Sequence, residues 1–556
     1  MSRARVRAAI AGVLAVSLAV TGLVAVHSAS ADTAPRRIVN GWLPYWSMSR
    51  SLMSVTSNAD LWGEASPFWY RATTATTIAS YTGAGDITVI DALHGQGIKV
   101  MPTVTEALDA PGMAKLLADS TQRAAHVSTL VNLVIATGVD GVDVDYEAMN
   151  FGGTSTDRAA VRSGFVTLLR ELATVLHSKG KLLSVTVGAR TRADDPNWTV
   201  FDYRGIAPSV DRFRIMTYDY HWRGGGPGAV APISWVNTVL TYAVTDVPAS
   251  KIEIGTPLYG YDWPADPLEP DGYGIATSLN YQQAEALRVQ YAAVRQWSAS
   301  DAAPYFTYTA TDGVTHVVWY NDVDATKAKM TLIGKYGVRG LAFWTVGYED
   351  TRQWSSLRSY AIQRSTKLTI AAPTVVTYGT AATVSGTLTT TAGTAVANQK
   401  VVLQWRQAGS TTWRSVATGT TSSTGTVSLR YAPASNGSFR LTAPSSWSYL
   451  SSTSASLTTL VRWRVSASFS DATVSRGTTA RLTGKVAPIR AGAAVWRQRY
   501  VNGAWTTVSS TTVRTDGTYS FSFTWNTAGT YTYRVVVPST SLNAAAYSAT
   551  LKLYVS

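Results

Sequence analysis

The 556-residue sequence contains no cysteine, which excludes disulfides, thiol catalysis and cysteine-ligated metals together. Its six histidines, at 27, 94, 126, 177, 221 and 316, are scattered, with no HExxH or other metal-ligand spacing. Neither a metal nor a cofactor is therefore expected. Beyond the N-terminal region no apolar run reaches bilayer-spanning length, so no membrane association is expected of the mature chain. Acids are nearly missing from residues 366–556, which carry 17 Lys/Arg against Asp471 and Asp516 alone. That stretch is +15 in a chain whose total is +14, so the basic balance belongs to it. No nucleic-acid motif accompanies the charge, and nucleic acid is not expected as a partner.

What is present begins with an export pattern. Arg3, Arg5 and Arg7 precede an apolar run from Ala8 to Val26, and Ala29-Ser30-Ala31 supplies small residues for cleavage. Residues 1–31 are thus expected to be a signal peptide. The mature chain is expected to be a monomer, secreted and extracellular or cell-wall associated.

The stretch Gly138-Val-Asp-Gly-Val-Asp-Val-Asp-Tyr-Glu147 organises the rest. Its valines predict a short buried strand. Asp143, Asp145 and Glu147 recur every second residue and so share one face. Three carboxylates in one poorly solvated space repel, and one of them stays protonated and able to act as an acid. A calcium loop would need Gly and Asn in turn conformations instead of alternating valines. Asp140 falls outside the alternation and is expected to be structural.

From 36 to 363 strands and helices alternate, which predicts a parallel sheet with crossover helices. Eight strands are expected: Ile38–Trp46, Ala65–Arg71, Ile98–Val104, Val139–Glu147, Leu182–Ala189, Arg212–Tyr220, Ile252–Tyr261 and Gly340–Val346. Eight such units fit an α/β fold, the (β/α)8 TIM barrel, with the acidic stretch on strand 4 and the site at the C-terminal strand ends. Residues 264–337 are too many for a plain connection and are expected to form a small α+β insertion.

After Arg364 the composition turns to Thr, Ser and Gly in short alternating strands. Gly379–Gly386 repeats as Gly477–Gly484, and Arg440–Pro444 repeats as Arg534–Pro538. Two all-β Ig-like sandwiches are expected, at 367–462 and 463–556, joined directly to the barrel. Trp405 and Trp496 are expected at matching core positions. Trp447 has no counterpart in the repeat and is read as a surface contact.

The spacing Asp140-x-x-Asp143-x-Asp145-x-Glu147 resembles the DxxDxDxE signature of glycoside hydrolase family 18. Met216-Thr-Tyr-Asp219, Gly255–Trp263 and Phe343-Trp344 resemble that family's strand-6, strand-7 and strand-8 elements, in family order. Within it, Gly41–Trp46 and Lys335–Trp344 look most like the spore-germination, cortex-lytic branch of N-acetylglucosaminidases. The LysM repeats usual in that branch are missing, and Thr103-Val-Thr-Glu106 replaces the family's SxGG element. The resemblance implies substrate-assisted retaining hydrolysis of β-1,4-linked N-acetylglucosamine in chitin or peptidoglycan, an exception to the two-carboxylate rule.

By that resemblance Glu147 is the acid and Asp145 orients the substrate acetamide. Asp143 shares a proton with Asp145, Tyr218 and Asp219 hold the acetamide, and Trp344 forms the floor. Tyr259, Trp263, Trp46 and Trp69 are candidate sugar contacts, with packing an equal alternative for the tryptophans, Trp42 and Trp222 included. His221 is read as a donor at the cleft edge. Anionic cell-wall polymers are the partner expected for the basic sandwiches. The rival reading is a non-catalytic glycan-binding barrel, which the intact acidic set disfavours.

Overall fold

The computed structural model describes residues 34–556; the expected signal peptide lies outside them. Eight parallel strands close on themselves: β1 Val39–Pro44, β2 Trp62–Ala72, β3 Thr103–Glu106, β4 Gly141–Asp145, β5 Leu182–Gly188, β6 Arg212–Met216, β7 Ile252–Pro257 and β8 Gly340–Trp344. Each pairs with its sequence neighbour, and β1 pairs with both β8 and β2, which closes the barrel. In β4, Val142 and Val144 are buried in the core layer shared with the helices. Asp143 and Asp145, of opposite parity, lie toward the barrel interior, as period-2 geometry requires. The clearest helix, Ser155–Ser178, buries Val161, Phe165, Leu168, Leu169, Leu172 and Leu176 and starts with a Thr154/Asp157 capping box.

Several strands end earlier than their apolar runs. The seventh stops at Pro257, and the next segment, Tyr259–Pro264, turns away to pair antiparallel with Thr277–Asn280 and Thr315–Trp319. This five-stranded sheet, completed by Ala303–Thr309 and Gln296–Ser298, is the insertion. It begins before residue 264. Helix Val323–Tyr336, which the sequence range included in it, packs instead on barrel elements, its Met330, Leu332 and Ile333 joining the barrel core.

Beyond Leu368 each half of the C-terminal part pairs two sheets over a hydrophobic core of its own. The junction is direct. Arg364 and Leu450 exchange backbone bonds with the 446–450 loop and the barrel end, and the Arg36 guanidinium lies 3.6 Å over the Trp447 ring. Trp447 thus seats the first sandwich on the barrel rather than facing solvent. Asn436 and Asn543 bridge the two sandwiches through backbone groups.

One repeat expectation is corrected. Arg440 bonds Gln404 and Arg534 bonds Gln498, at 2.7 and 2.8 Å, from paired register positions. That alignment sets Trp405 against Arg499, not Trp496. Trp496, three residues earlier, has the opposite parity, faces outward and is 37% exposed.

Candidate active site

Strand 4 sets the carboxylates, and its neighbours decide what each can do. Asp143 is fully buried and accepts bonds from Trp42 Nε1 (3.0 Å), Thr103 (3.0 Å), Ser184 (2.6 Å) and Thr186 (3.2 Å), with Arg214 Nη1 at 3.3 Å. Both its oxygens are committed, and it makes no hydrogen bond to Asp145. Trp42, a candidate for sugar stacking, is buried as a donor to this carboxylate.

Asp145 is buried, and its Oδ1 has no hydrogen-bond partner. Burial, then Glu147, Asp143 and Glu106, drive its pKa well above the usual carboxylate range; Arg214 opposes them.

Glu147 does not lie on the strand. Strand 4 ends at Asp145, and Glu147 adopts helical backbone angles before the short 3-10 turn Ala148–Asn150. Its place is fixed by Glu106, at the end of β3, whose carboxyl accepts the backbone N–H of Glu147 (3.0 Å) and of Met149 (2.7 Å). Burial, with Asp219 nearby, pushes Glu147 up to about 7. Burial likewise pushes Glu106 up to about 7, against the two amide bonds that favour its charged form. Beneath the turn Tyr146 is locked by His126, whose other nitrogen meets the Ala75 carbonyl.

Glu147, Tyr218 and Asp219 line a cleft of about 620 Å³ with Trp198, Trp222, Arg192 and Asp195. Gly188 makes room for one wall: a Cβ there would fall 2.0 Å from the Trp198 ring. Asp219 sits in left-handed backbone (φ 56°), a conformation Asp tolerates better than most. It accepts hydroxyls from Tyr259 (2.5 Å) and Tyr261 (2.9 Å). Burial still leaves its pKa raised despite those bonds. An aromatic cluster stands at the ends of the first, second and eighth strands: Trp344 lies against Trp42, Trp46 and Phe68, at 6.1, 6.2 and 5.2 Å between ring centres. Trp46 is half exposed there and bonds the Tyr348 hydroxyl.

The structure brings Glu147, Tyr218 and Asp219 into one cleft, with buried Asp145 close enough to feel Glu147 and Asp143 beneath it, and sets Trp344 and Trp46 in one aromatic cluster. It buries two tryptophan candidates away from the cleft and ties Tyr259 to the cleft through Asp219. Trp263 is fully buried and gives its N–H to the Gly225 carbonyl. Trp69 is buried in the barrel core. Tyr259 spends its hydroxyl on Asp219. For the two tryptophans burial hides the ring, which proximity to a strand end does not reveal. Asp140 bonds His94 and the Val100 amide at the opposite end, a structural role. His221 bonds the Gly226 carbonyl, which fixes a loop. Missed from sequence were Glu106, Phe68, Trp198 and Trp235, which also lines the cleft; for Glu106 the signal was there, as the acid where SxGG is expected.

Buried carboxylates with raised pKa values at the strand ends of a closed (β/α)8 barrel stand where enzymes of this fold carry their active sites. Residues 57–349 match the family model of glycosyl hydrolases family 18, more than half of the chain, and the protein belongs to that family. It is 32% identical over 241 residues to a cortical fragment-lytic enzyme of Bacillus subtilis (strain 168), covering 43% of this chain and 54% of that one. It is 25% identical over 297 residues to a mouse (Mus musculus) di-N-acetylchitobiase, covering 50% and 77%. The structure of a chitinase from Chromobacterium violaceum superposes with a TM-score of 0.52 at 25% identity, covering 58% of this chain and 98% of that one. The chain spans about half the length of the bacterial relative.

Proposed function

We propose that the protein hydrolyses β-1,4-linked N-acetylglucosamine glycans with retention of configuration, the substrate's own 2-acetamido group acting as nucleophile. The observation that carries this is the division of labour along strand 4. Asp143 has no free oxygen, while Asp145 has an oxygen with no partner and Glu147 stands above it in the cleft. Asp145 is then the carboxyl left to receive the acetamide N–H and to stabilise the oxazolinium charge. Glu147, with a pKa near 7, is protonated below neutrality and delivers its proton to the glycosidic oxygen. The intramolecular nucleophile gains the advantage of a reactant already in place. Tyr218 holds the acetamide oxygen, Asp219 supports it, Trp344 floors the reacting sugar and Trp46 extends the wall.

Bacterial cell-wall glycan is the favoured substrate, because a cortical fragment-lytic enzyme is among the matched relatives. We infer a secreted chain whose Ig-like sandwiches, +15 between them, hold it on an anionic wall; sedimentation with walls at low salt and release as salt rises are the expected results. The mechanism is tested by NMR of the first-formed product and by substrates lacking N-acetyl groups. Retained configuration, no turnover of the deacetylated oligomer and inhibition by an N-acetylglucosamine thiazoline are expected. An inverted product would reject the mechanism.

A further inference from the structure

The second sandwich buries arginine where the first buries hydrocarbon. In the alignment set by the Gln404–Arg440 and Gln498–Arg534 pairs, Leu403 and Trp405 correspond to Arg497 and Arg499. Leu403 and Trp405 are buried in the first sandwich's core. Arg497, only 9% exposed, occupies the same inward side. Its guanidinium lies 3.4 Å from the Phe523 ring centre, with Phe521 and Tyr533 near, and Arg499 lies 4.6 Å from that of Trp525. Phe521 and Phe523 belong to the facing sheet, so Arg497 points between the sheets.

Neither guanidinium meets an acid. No ion pair among the described residues involves Asp471 or Asp516, and both bind their own turns, at Thr473 and Thr518. Arg497 Nε and Nη1, Arg499 Nε and the Ser509 hydroxyl are buried without a hydrogen-bond partner. Ser509 stands opposite Arg497 in the strand register. Four orphaned polar groups, all able to donate, so converge on one face. A buried donor left unmade is costly, and a buried cation more so. Ring faces offset part of the charge but accept none of the in-plane N–H groups.

We propose that this cluster of orphaned donors binds an oxyanion, a phosphate or carboxylate group, held by the Arg497 and Arg499 forks with Ser509 beside the Trp525 and Tyr531 rings. The planar fork suits such groups better than any other side chain. As a receptor for wall polymers the site rests on the retention proposed above; as an oxyanion site it does not.

The test is calorimetric titration of the full chain with inorganic phosphate and, separately, acetate, on wild type, Arg534→Gln and the double variant Arg497→Leu/Arg499→Trp. The double variant copies the first sandwich, which folds with those residues; a thermal scan checks it. Binding in wild type and in Arg534→Gln, weakened at least roughly tenfold in the double variant, supports the site. Preference for phosphate points to phosphodiester polymers, and preference for acetate to peptide carboxylates. No binding of either ion, or equal binding by the double variant, overturns it. Sedimentation with walls then separates the two ideas. If the double variant loses phosphate but sediments like wild type, retention stands on the outer arginines and the cluster is not the wall receptor. If wild type fails to sediment, retention fails, while the oxyanion site stands or falls on the titration.

Discussion

Arg214 in the barrel and Arg497 in the second sandwich are both buried guanidiniums in opposite company. Arg214 bonds Glu253 (2.9 Å) and Ser66 (2.6 Å) and meets Asp143 and Glu64; Arg212 and Arg339 reach the same glutamates. Three guanidiniums face three carboxylates. Burial alone would lower the Arg214 pKa, but Asp143, Glu253 and Glu64 raise it beyond its ordinary value. Arg497 has rings only; burial lowers its pKa, with Tyr533 opposing and Arg499 adding to the fall. Each guanidinium leaves a buried N–H unmade, but the orphaned Nη2 of Arg214 lies 3.6 Å from the Glu64 carboxylate, whereas those of Arg497 have no acid near.

The largest expected effect sharpens the contrast in function. Glu147→Gln should cut hydrolysis of a chitooligosaccharide by about 10²–10⁴-fold, with the thermal midpoint little changed. Arg497→Leu/Arg499→Trp should leave that hydrolysis at wild-type rate. Near-normal turnover by Glu147→Gln would remove the acid assignment.

In stability the order should reverse. Arg214→Met leaves Glu253, Glu64 and Asp143 buried without their central partner, and loss of one member of a buried ion pair costs about 3–5 kcal/mol. Arg497→Leu strands no carboxylate and removes orphaned donors, so it should leave stability unchanged or raise it, by up to roughly 1–4 kcal/mol. Denaturant melts giving equal losses would break the comparison.

Glu106→Gln places an amide N–H₂ against one of two backbone donors, so the Glu147 turn should loosen. We expect kcat to fall about tenfold, with KM nearly unchanged, because positioning matters most in the transition state. A mainly KM effect would show that Glu106 acts on binding.

A further effect is on pH, gradual and spread over a wide window. Glu106 and Glu147 have folded pKa values of about 7, above an unfolded value near 4.5. The folded state therefore holds more protons between those limits, and stability falls as pH rises through the window. The slope reaches at most about 1.4 kcal/mol per pH unit for each group. Removing Glu147 by the Gln substitution should flatten it; a slope unchanged in both single variants would reject these shifts. Activity should also decline as pH rises through about 7, as the acid loses its proton.

Much of the site was legible because its signals are local. The valine-aspartate alternation of 141–145 specifies a buried strand whose acids share a face, and Asp143 and Asp145 are buried on that strand in the structure, though without the hydrogen bond that a shared proton would need. Glu147 was legible as an acid but not as a residue beyond the strand, because a motif's spacing does not say where pairing stops. Trp69 and Trp263 read like sugar platforms since aromatic residues near strand ends serve both uses, and burial alone distinguishes them. Tyr259 misled for a related reason: the chain leaves the barrel at Leu258, so its ring serves the wall of Asp219.

The sequence by itself determined the barrel, the acidic ladder, the repeat and the lopsided charge, since each follows from period, composition or spacing along the chain. Only the tertiary structure decided that Glu106 holds the Glu147 turn, 41 residues away, that Asp143 is saturated, and that Arg497 and Arg499 face inward. Hydrogen-bond saturation and burial depend on which elements meet, and a one-residue change of register reverses the face a side chain takes.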